Sequence, residues 1–401
     1  MTKKVRIALI AIGLCAIVNG QQENAPAFGK GLFNLVGKDS SWTMKVGLRM
    51  QFLSDFRWDN PEDSGLENES SSFLIRRSRL KFDGYAFHPS LEYKLEFGLS
   101  NRDMSGASEF TRNSPRFVMD AVLKWNFHGN WVLWAGQTKL PGNVERVISS
   151  ANLQLVDRSL VNSRFNIDRD IGFQLRHHDY LSDEFLIREI VAISQGEGRN
   201  VTEGNLGGYQ YTARLELLPL GSFTKDGEYS GADLVREPEP KLMLAATYDY
   251  NDDAVRTRSN MGSYMFTDTG FHESSTSTFF ADAVFKYQGF SFMGEFAKRS
   301  SDRPVAVNSD GSPTGDVVAV GQGLNFQMGY LMKKDWELAG RYTHVALDRD
   351  ITGAAPQDQF TLGLSRYLAG HKLKVQTDLS YLDLDGDADE LMWRLQMELH
   401  F

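Results

Sequence analysis

The chain has 401 residues, with 43 Lys and Arg against 52 Asp and Glu, and 12% of its residues are aromatic. This acidic balance argues against a nucleic-acid-binding protein, which presents a basic surface to phosphates. Its single cysteine, Cys15, lies in a segment that we expect to be removed, which argues against disulfides and cysteine-ligated metal in the mature chain.

The first 20 residues predict a secretory signal peptide. Lys3, Lys4 and Arg6 give a basic start, residues 7–18 are mostly apolar, and Gly20 is small enough to precede a cleavage site. The apolar run is too short to span a bilayer as a helix. We expect residues 1–20 to be removed and residues 21–401 to form one domain. No later apolar stretch has the length of a transmembrane helix.

Apolar and polar residues alternate in one segment after another, from "SWTMKVGLRMQF" near residue 42 to "WRLQMELHF" at the end. Successive side chains of a strand point to opposite faces, so each segment has one apolar and one polar face. Counting all such segments gives about sixteen strands of roughly ten residues each.

The gaps between these segments alternate between short and long. Tight turns such as "FHPS", "HGN" and "LAGH" follow one end of the strands. The long gaps fall near 54–72, 100–116, 139–169, 197–207, 252–277, 299–321, 347–358 and 382–390. The sequence therefore predicts an all-β, transmembrane, antiparallel up-and-down β-barrel of about 16 strands.

One gap breaks this rule, because residues 219–240 are long where a short turn is due. We expect this segment at the short-turn end, which an even number of strands would place in the periplasm together with both termini. Aromatic residues typical of a membrane interface fall near that end: Trp42, Trp125, Phe127, Trp131, Trp336 and Phe401.

The last strand is predicted to pair with the first, because an open edge in lipid leaves backbone groups unsatisfied. Its terminal aromatic residue, Phe401, is typical of barrels that the outer-membrane assembly machinery inserts. We expect that machinery and the lipid bilayer to be partners of the chain.

The sequence lacks a clear serine-hydrolase motif or metal site. No G-x-S-x-G, the motif of many serine hydrolases, occurs. His177 and His178 are adjacent on a strand, so they point in opposite directions and cannot both bind one metal ion from the same face. The aspartates of 383–390 lack the spacing of a calcium loop, so a solvated loop is the better interpretation, with a weak Ca²⁺ site as the alternative. We expect no enzyme activity, no cofactor and no structural metal.

A lined pore is the remaining chemistry, since about sixteen strands enclose a water-filled channel. Folded into the lumen, the third long gap would set an ion preference, whereas the alternative is a solvated outer loop. Its charged candidates are Lys139, Arg146, Arg158, Arg164 and Arg169 together with Glu145, Asp157 and Asp168.

A second charged feature is the strand "FLIRRSRLKFDGY". Arg77, Arg79 and Lys81 recur at period two on one face and could pass anions along the wall. The alternative is that Glu92 and Glu96 on the next strand neutralise them.

In this order, "FLIRRSRLKFDGY", "GQTKLPGNVER", "LVDRSLVN" and "DRDIGFQL" resemble the phosphate-selective porin O and P family. The resemblance implies a sixteen-stranded outer-membrane channel, commonly a homotrimer, with a constricting third loop and basic side chains that draw small anions such as phosphate. Carried over by position, it marks Arg77, Arg79 and Lys81 on the strand. On the loop it marks Lys139, Glu145, Arg158, Arg169 and Asp170.

The sequence thus predicts passive diffusion of small hydrophilic solutes with a preference for anions. Glu92, Glu96, Asp120 and Asp282 also point to the predicted lumen and argue against a phosphate preference. The alternative is a plugged barrel with an adhesive role or a structural role in an envelope complex.

Overall fold

A computed structural model describes residues 26–59, 69–203, 205–385 and 389–401. The predicted signal peptide, residues 1–20, lies outside this part of the chain. No helix in the described ranges is long and apolar enough to cross a membrane.

The described chain is mostly β-strand. Its strands, in chain order, are β1 (Phe33–Val36), β2 (Thr43–Asp59), β3 (Glu69–Ala86), β4 (His88–Gly98), β5 (Val118–His128), β6 (Trp131–Lys139), β7 (Arg169–Tyr180), β8 (Leu186–Ser194), β9 (Gln210–Leu218), β10 (Lys241–Ala254), β11 (Arg256–Arg258), β12 (Met261–Tyr264), β13 (Phe266–Thr267), β14 (Gly270–Phe271), β15 (Ser274–Tyr287), β16 (Phe290–Ser301), β17 (Val305–Val307), β18 (Pro313–Val317), β19 (Gly321–Leu331), β20 (Trp336–Leu347), β21 (Gln357–Tyr367), β22 (Leu373–Leu384) and β23 (Glu390–His400). The short helices are Asn101–Met104, Glu109–Thr111, Val144–Val147, Leu160–Phe165, Gly227–Tyr229, Lys333–Asp335 and Arg349–Thr352.

Sixteen of these strands form a closed antiparallel barrel, which confirms the predicted fold. They are β2 to β10, β15, β16 and β19 to β23, each paired with its sequence neighbours. The barrel closes where β23 pairs with β2, with Met397 opposite Phe52 and His400 opposite Arg49. The remaining strands are β1, which pairs with β2, and three small hairpins in the long loops.

Alternation along each strand separates a lipid-facing surface from the lumen. On β23, Arg394, Gln396 and Glu398 are buried inside, whereas Trp393 and Met397 are 40% and 55% exposed outside. The polar half of each alternating segment therefore faces inward, as expected for a transmembrane barrel.

The turns at one end of the barrel are tight. Gln288 and Gly289, which join β15 to β16, both have positive φ (48° and 90°), as in the type I′ turns of two-residue hairpins. Segment 219–240 joins β9 to β10 at this same end, as predicted. The sequence did not predict that it folds inward, with Glu228, Asp233 and Glu237 fully buried.

Candidate functional site

Loop 140–168, between β6 and β7, packs against inward-facing side chains on the wall formed by β16 to β22. Asn143 donates to Glu295 on β16 at 3.0 Å, and the Val156 amide donates to Asp378 on β22 at 3.0 Å. Between these points Gln154 donates to Glu337 on β20 at 2.6 Å. Buried amide and carboxylate groups thus satisfy one another across the lumen.

Apolar contacts complete the attachment of this loop. Val161, Phe165 and Ile167 form a buried cluster with Phe280 of β15 and Val345 of β20. Inward apolar residues are unusual in a water-filled barrel, and here they form an apolar surface against which the loop packs. Ser159 begins the helix Leu160–Phe165 by accepting a hydrogen bond from the Asn162 amide at 3.1 Å, as an N-cap residue does.

The space left beside the loop is a cavity of about 840 Å³. Fifteen basic and five acidic residues line it, although the whole chain is acidic. The basic residues are Arg57, Arg77, Arg79, Lys94, Arg102, Lys124, Lys139, Arg146, Arg158, Arg169, Arg176, Arg199, Arg258, Arg341 and Arg394. The acidic residues are Glu96, Asp103, Asp120, Asp157 and Asp168. We call this space the basic passage.

The structure brings eight of the predicted site residues together around the basic passage. They are Arg77, Arg79, Lys139, Arg146, Arg158, Arg169, Asp157 and Asp168. Four others lie outside its lining, namely Lys81, Arg164, Glu145 and Asp170.

Each of the four outlying residues has a local partner. Lys81 pairs with Asp83 on its own strand at 2.9 Å. Arg164 donates to Gln357 at 3.2 Å. Glu145 accepts hydrogen bonds from the amide and hydroxyl of Ser159, at 3.0 and 2.6 Å, and so holds the loop in shape.

Asp170 is the fourth outlying residue. It is 1% exposed and accepts a hydrogen bond from the Gly196 amide at 2.6 Å. Its carboxylate therefore fixes the start of the loop that follows β8. It anchors this outer loop rather than contacting the passage.

On the arginine strand, Arg77 and Arg79 differ in their partners. Arg79 donates to Glu96 at 2.9 Å and to both oxygens of Asp103 at 2.9 and 3.1 Å, so its three nitrogens are engaged. Arg77 donates through Nη1 to the neutral Gln51 at 2.7 Å and makes no salt bridge within the described chain. Neighbouring acids therefore neutralise Arg79, while Arg77 remains uncompensated.

Two basic residues of the loop hold its own backbone. The Lys139 ammonium donates to the carbonyls of Arg146, Val147 and Ile148 at 2.8 to 3.2 Å. Arg158 donates to the carbonyls of Glu145 and Ile148, both at 2.8 Å. Their positive charge lies where a short helix leaves its carbonyls without amide partners.

Acidic side chains in or near the lining pair with some of the other basic residues. Asp157 binds Arg76 and, at 3.2 Å, Arg394. Asp120 binds Arg169 at 2.9 Å and Lys94 at 2.5 Å. These pairs tie the loop and adjacent strands together without balancing the excess of basic charge.

The outer loops add arginines at the long-loop end of the passage. Arg199 donates to the Asp103 carbonyl at 2.6 Å. Burial lowers the pKa of Arg199 to about 10, with the nearby charge of Arg116 acting in the same direction. At neutral pH it stays charged.

Sequence reasoning missed nine of the fifteen basic lining residues. Five of them could have been identified from the alternation pattern, because each occupies an inward position of an alternating strand: Lys94, Lys124, Arg176, Arg341 and Arg394. Arg102, Arg199 and Arg258 belong to long loops or the hairpins within them, whose path the alternation does not determine. Arg57 lies near the outer end of β2.

The histidine pair does not form a metal site with other described residues, among which no suitable group of three ligands occurs. His177 stacks on Trp131 with 4.2 Å between ring centroids and contacts Glu189 at 2.8 Å. The loop 383–390, for which the sequence favoured a solvated loop with a weak Ca²⁺ site as the alternative, falls partly on residues 386–388, which lie outside the described ranges.

Comparison with solved structures supports the architecture. DcaP, an outer membrane channel of Acinetobacter baumannii, superposes with a TM-score of 0.55 at 12% identity, covering 92% of this chain and all of that one. A loop-deletion mutant of OmpT from Vibrio cholerae gives a TM-score of 0.54 at 14% identity, covering 89% and 99%. An anion-selective porin of Comamonas acidovorans gives 0.51 at 10% identity, covering 90% and 100%. At these identities the likeness establishes the fold.

Sequence comparison establishes the family. An uncharacterised protein of Aquifex aeolicus (strain VF5) is 23% identical over 386 residues, covering 89% of this chain and 87% of that protein. The pattern described as phosphate-selective porin O and P matches residues 44–392. This chain therefore belongs to the phosphate-selective porin O and P family, and is an outer-membrane channel protein rather than an enzyme.

Proposed function

We propose that the protein lets small anions, phosphate among them, diffuse passively through the basic passage. The observation that carries this proposal is the excess of fifteen basic over five acidic lining residues in a chain of opposite overall charge. Fixed charge around a narrow aqueous path attracts counter-ions and repels ions of like sign.

Among small anions, arginine side chains favour oxyanions such as phosphate. Its planar guanidinium presents several donors that match phosphate oxygens, whereas an ammonium acts as a point charge. Twelve of the fifteen basic lining residues are arginine. The fold resembles that of a porin described as anion-selective, which agrees with the proposal.

The direct test is the reversal potential of the purified protein in a planar bilayer under a potassium chloride gradient. A potential of the sign set by chloride supports the proposal, and a potential of the sign set by potassium contradicts it. Adding inorganic phosphate at fixed chloride should then reduce the chloride current by occupying the same arginines.

A plugged barrel with an adhesive or structural role is the second candidate. The observation that favours it is that both loop 140–168 and segment 219–240 fill part of the lumen, with the Gly231 amide donating to the Asn152 carbonyl at 2.8 Å. A barrel that inserts into the bilayer but conducts no current would support this candidate over an anion channel.

We further propose that the protein assembles as a homotrimer, as one similar solved structure of Vibrio cholerae OmpT is described in a trimer form. Chemical cross-linking in outer-membrane vesicles would test this. Cross-linked species of three chains support the proposal, and chains that remain single contradict it.

A further inference from the structure

Segment 219–240 is fixed to the inner wall at the short-turn end. Lys286 of β15 is 1% exposed and donates to the carbonyls of Ser230 and Ala232 at 3.0 and 2.8 Å. Asp233 accepts from the Gly289 amide at 2.7 Å. Several independent anchors, each of them buried, hold the segment inside the barrel.

The opposite side of the segment is held in the same manner. Arg188 of β8 pairs with Glu228 at 2.5 Å. The Tyr229 hydroxyl donates to Glu216 of β9 at 2.5 Å. Arg236 donates to the carbonyl of Leu331 at 2.8 Å. These contacts give the segment one position rather than a range of positions.

The segment also supports loop 140–168 from below. The Phe223 side chain shares a buried cluster with Val144, Ile148 and Leu153 of the loop. A Cβ added to Gly231 would lie 2.7 Å from the backbone nitrogen of Gln154, so only glycine permits this close approach. Together the loop and the segment fill the lumen on the side of β15 to β22.

Toward the short-turn end the free path therefore lies beside β6 to β8. A second cavity of about 410 Å³ lies at the short-turn end, where exposed residues such as Tyr180 and Asp226 line it. It shares three lining residues with the basic passage, namely Trp134, Arg176 and Tyr229. The two cavities thus meet at these side chains, one of which belongs to segment 219–240.

The junction combines positive charge with aromatic surface. The Arg176 guanidinium lies 3.8 Å from the centre of the Trp134 ring, and the Lys124 ammonium lies 4.3 Å from it. Neither cation makes a salt bridge to an acidic side chain in the described ranges. Stacking on the ring holds them in place without neutralising them.

We propose that segment 219–240 forms a second constriction, which directs anions leaving the basic passage between its Tyr229 and the Arg176 and Lys124 side chains on Trp134. This inference rests on the proposed function for the charge of the solute, but the position of the path can be tested independently. Tyr229 is a residue that sets the width of the passage, and Arg176 and Lys124 provide its charge.

Cysteine modification tests the path, because residues 26–401 contain no cysteine. In Tyr229→Cys, an anionic methanethiosulfonate reagent added to the open channel should reduce the single-channel conductance by about twofold or more, since it adds bulk and negative charge at a narrow point. Val235→Cys, exposed on the same segment but outside both cavities, and Tyr330→Cys on the outer face should leave the conductance unchanged.

Unchanged conductance after the reagent, whether or not mass spectrometry shows that Cys at 229 was labelled, would overturn the proposed path. A second variant, Tyr229→Ala, should raise the conductance, and a decrease or no change would also count against it. The two proposals fail separately. A channel that prefers potassium but is blocked at position 229 refutes anion preference alone, whereas an anion-selective channel without this block refutes the second constriction alone.

Discussion

Arg77 and Arg79 provide a sharp test of how the basic passage selects ions, because they lie two residues apart on one strand but differ in their partners. The substitutions Arg77→Gln and Arg79→Gln each remove one positive charge from the same wall. The removed charge weakens the long-range field equally, whatever its partners. The two arginines differ in their ability to bind an anion directly, because Glu96 and Asp103 already engage the nitrogens of Arg79.

The field effect can be estimated from Coulomb's law. For an ion about 6 Å from the guanidinium, the energy in water is about 0.7 kcal/mol, which screening at 0.1 M salt reduces to about 0.4 kcal/mol. Such an energy lowers anion entry and raises cation entry by about twofold each, so the anion-to-cation permeability ratio falls by about three- to fourfold. We expect this change in both variants, measured as reversal potential at low salt.

At 1 M salt the Debye length shrinks to about 3 Å, and the field effect at this distance falls to about 0.1 kcal/mol. The free donors of Arg77 should still bind phosphate, since a charge-assisted hydrogen bond acts at contact distance. The concentration of inorganic phosphate that halves the chloride current should therefore rise by about tenfold in Arg77→Gln, the equivalent of 1.4 kcal/mol, and change little in Arg79→Gln. Equal shifts in the two variants at 1 M salt would refute this reasoning.

Three further predictions concern how the lumen is held together. Gly231→Ala should lower the stability of the folded barrel by about 1–3 kcal/mol through a clash with Gln154, whereas Gly340→Ala, with its nearest neighbour 4.0 Å away, should not; urea unfolding in detergent measures both. Asp378→Asn weakens the bonds to the Val156 amide and Arg394, and should make the open-channel current noisier as the loop loosens; a current as quiet as the wild type would contradict this. Burial raises the pKa of Glu197, in the loop after β8, to about 7, so the contribution of this group to native-state stability should be largest below about pH 4.5 and be lost as the pH rises from about 4.5 through 7. The variant Glu197→Gln should flatten that part of the stability–pH curve, and an unchanged slope would contradict the assignment.

The barrel was predictable from the sequence because strand alternation has a rigid physical cause. Lipid on one side and water on the other require opposite side chains at successive positions, as Trp393 and Arg394 show. The closure of β23 on β2 follows from the need to pair every backbone group in lipid. Neither inference requires knowledge of a long-range contact.

Strand alternation does not determine the path of the two segments that fold into the lumen, 140–168 and 219–240. Loop 140–168 carries many charges, as a solvated loop also does. Its position in the lumen depends on packing against Phe280 and Val345, two inward residues far away in the sequence. Segment 219–240 was expected only at the correct end of the barrel. Its buried Asp233 accepts a hydrogen bond from the Gly289 amide, which is 56 residues away in the sequence. Contacts of this kind arise from tertiary packing, which local patterns do not encode.

The chain is acidic although its passage is basic, because most inward acidic residues bind other parts of the protein whereas many basic residues line the passage. Among the acids expected to point inward, Glu96 pairs with Arg79, Asp120 with Arg169 and Asp282 with Arg214. Only Glu92 stays exposed.

Other buried acids bind backbone amides and neutral side chains of the in-folded segments, as Glu295 does for the helix Val144–Val147 and Glu337 does for Gln154. These carboxylates position the loop and lie outside the lining of the passage. Arginines such as Arg77 and Arg176 line it and form no salt bridge with any acidic residue that the structure describes. Ion preference is set by the charges that surround the free path. Net charge, which counts anchoring and lining residues alike, is therefore a poor guide to what this barrel conducts.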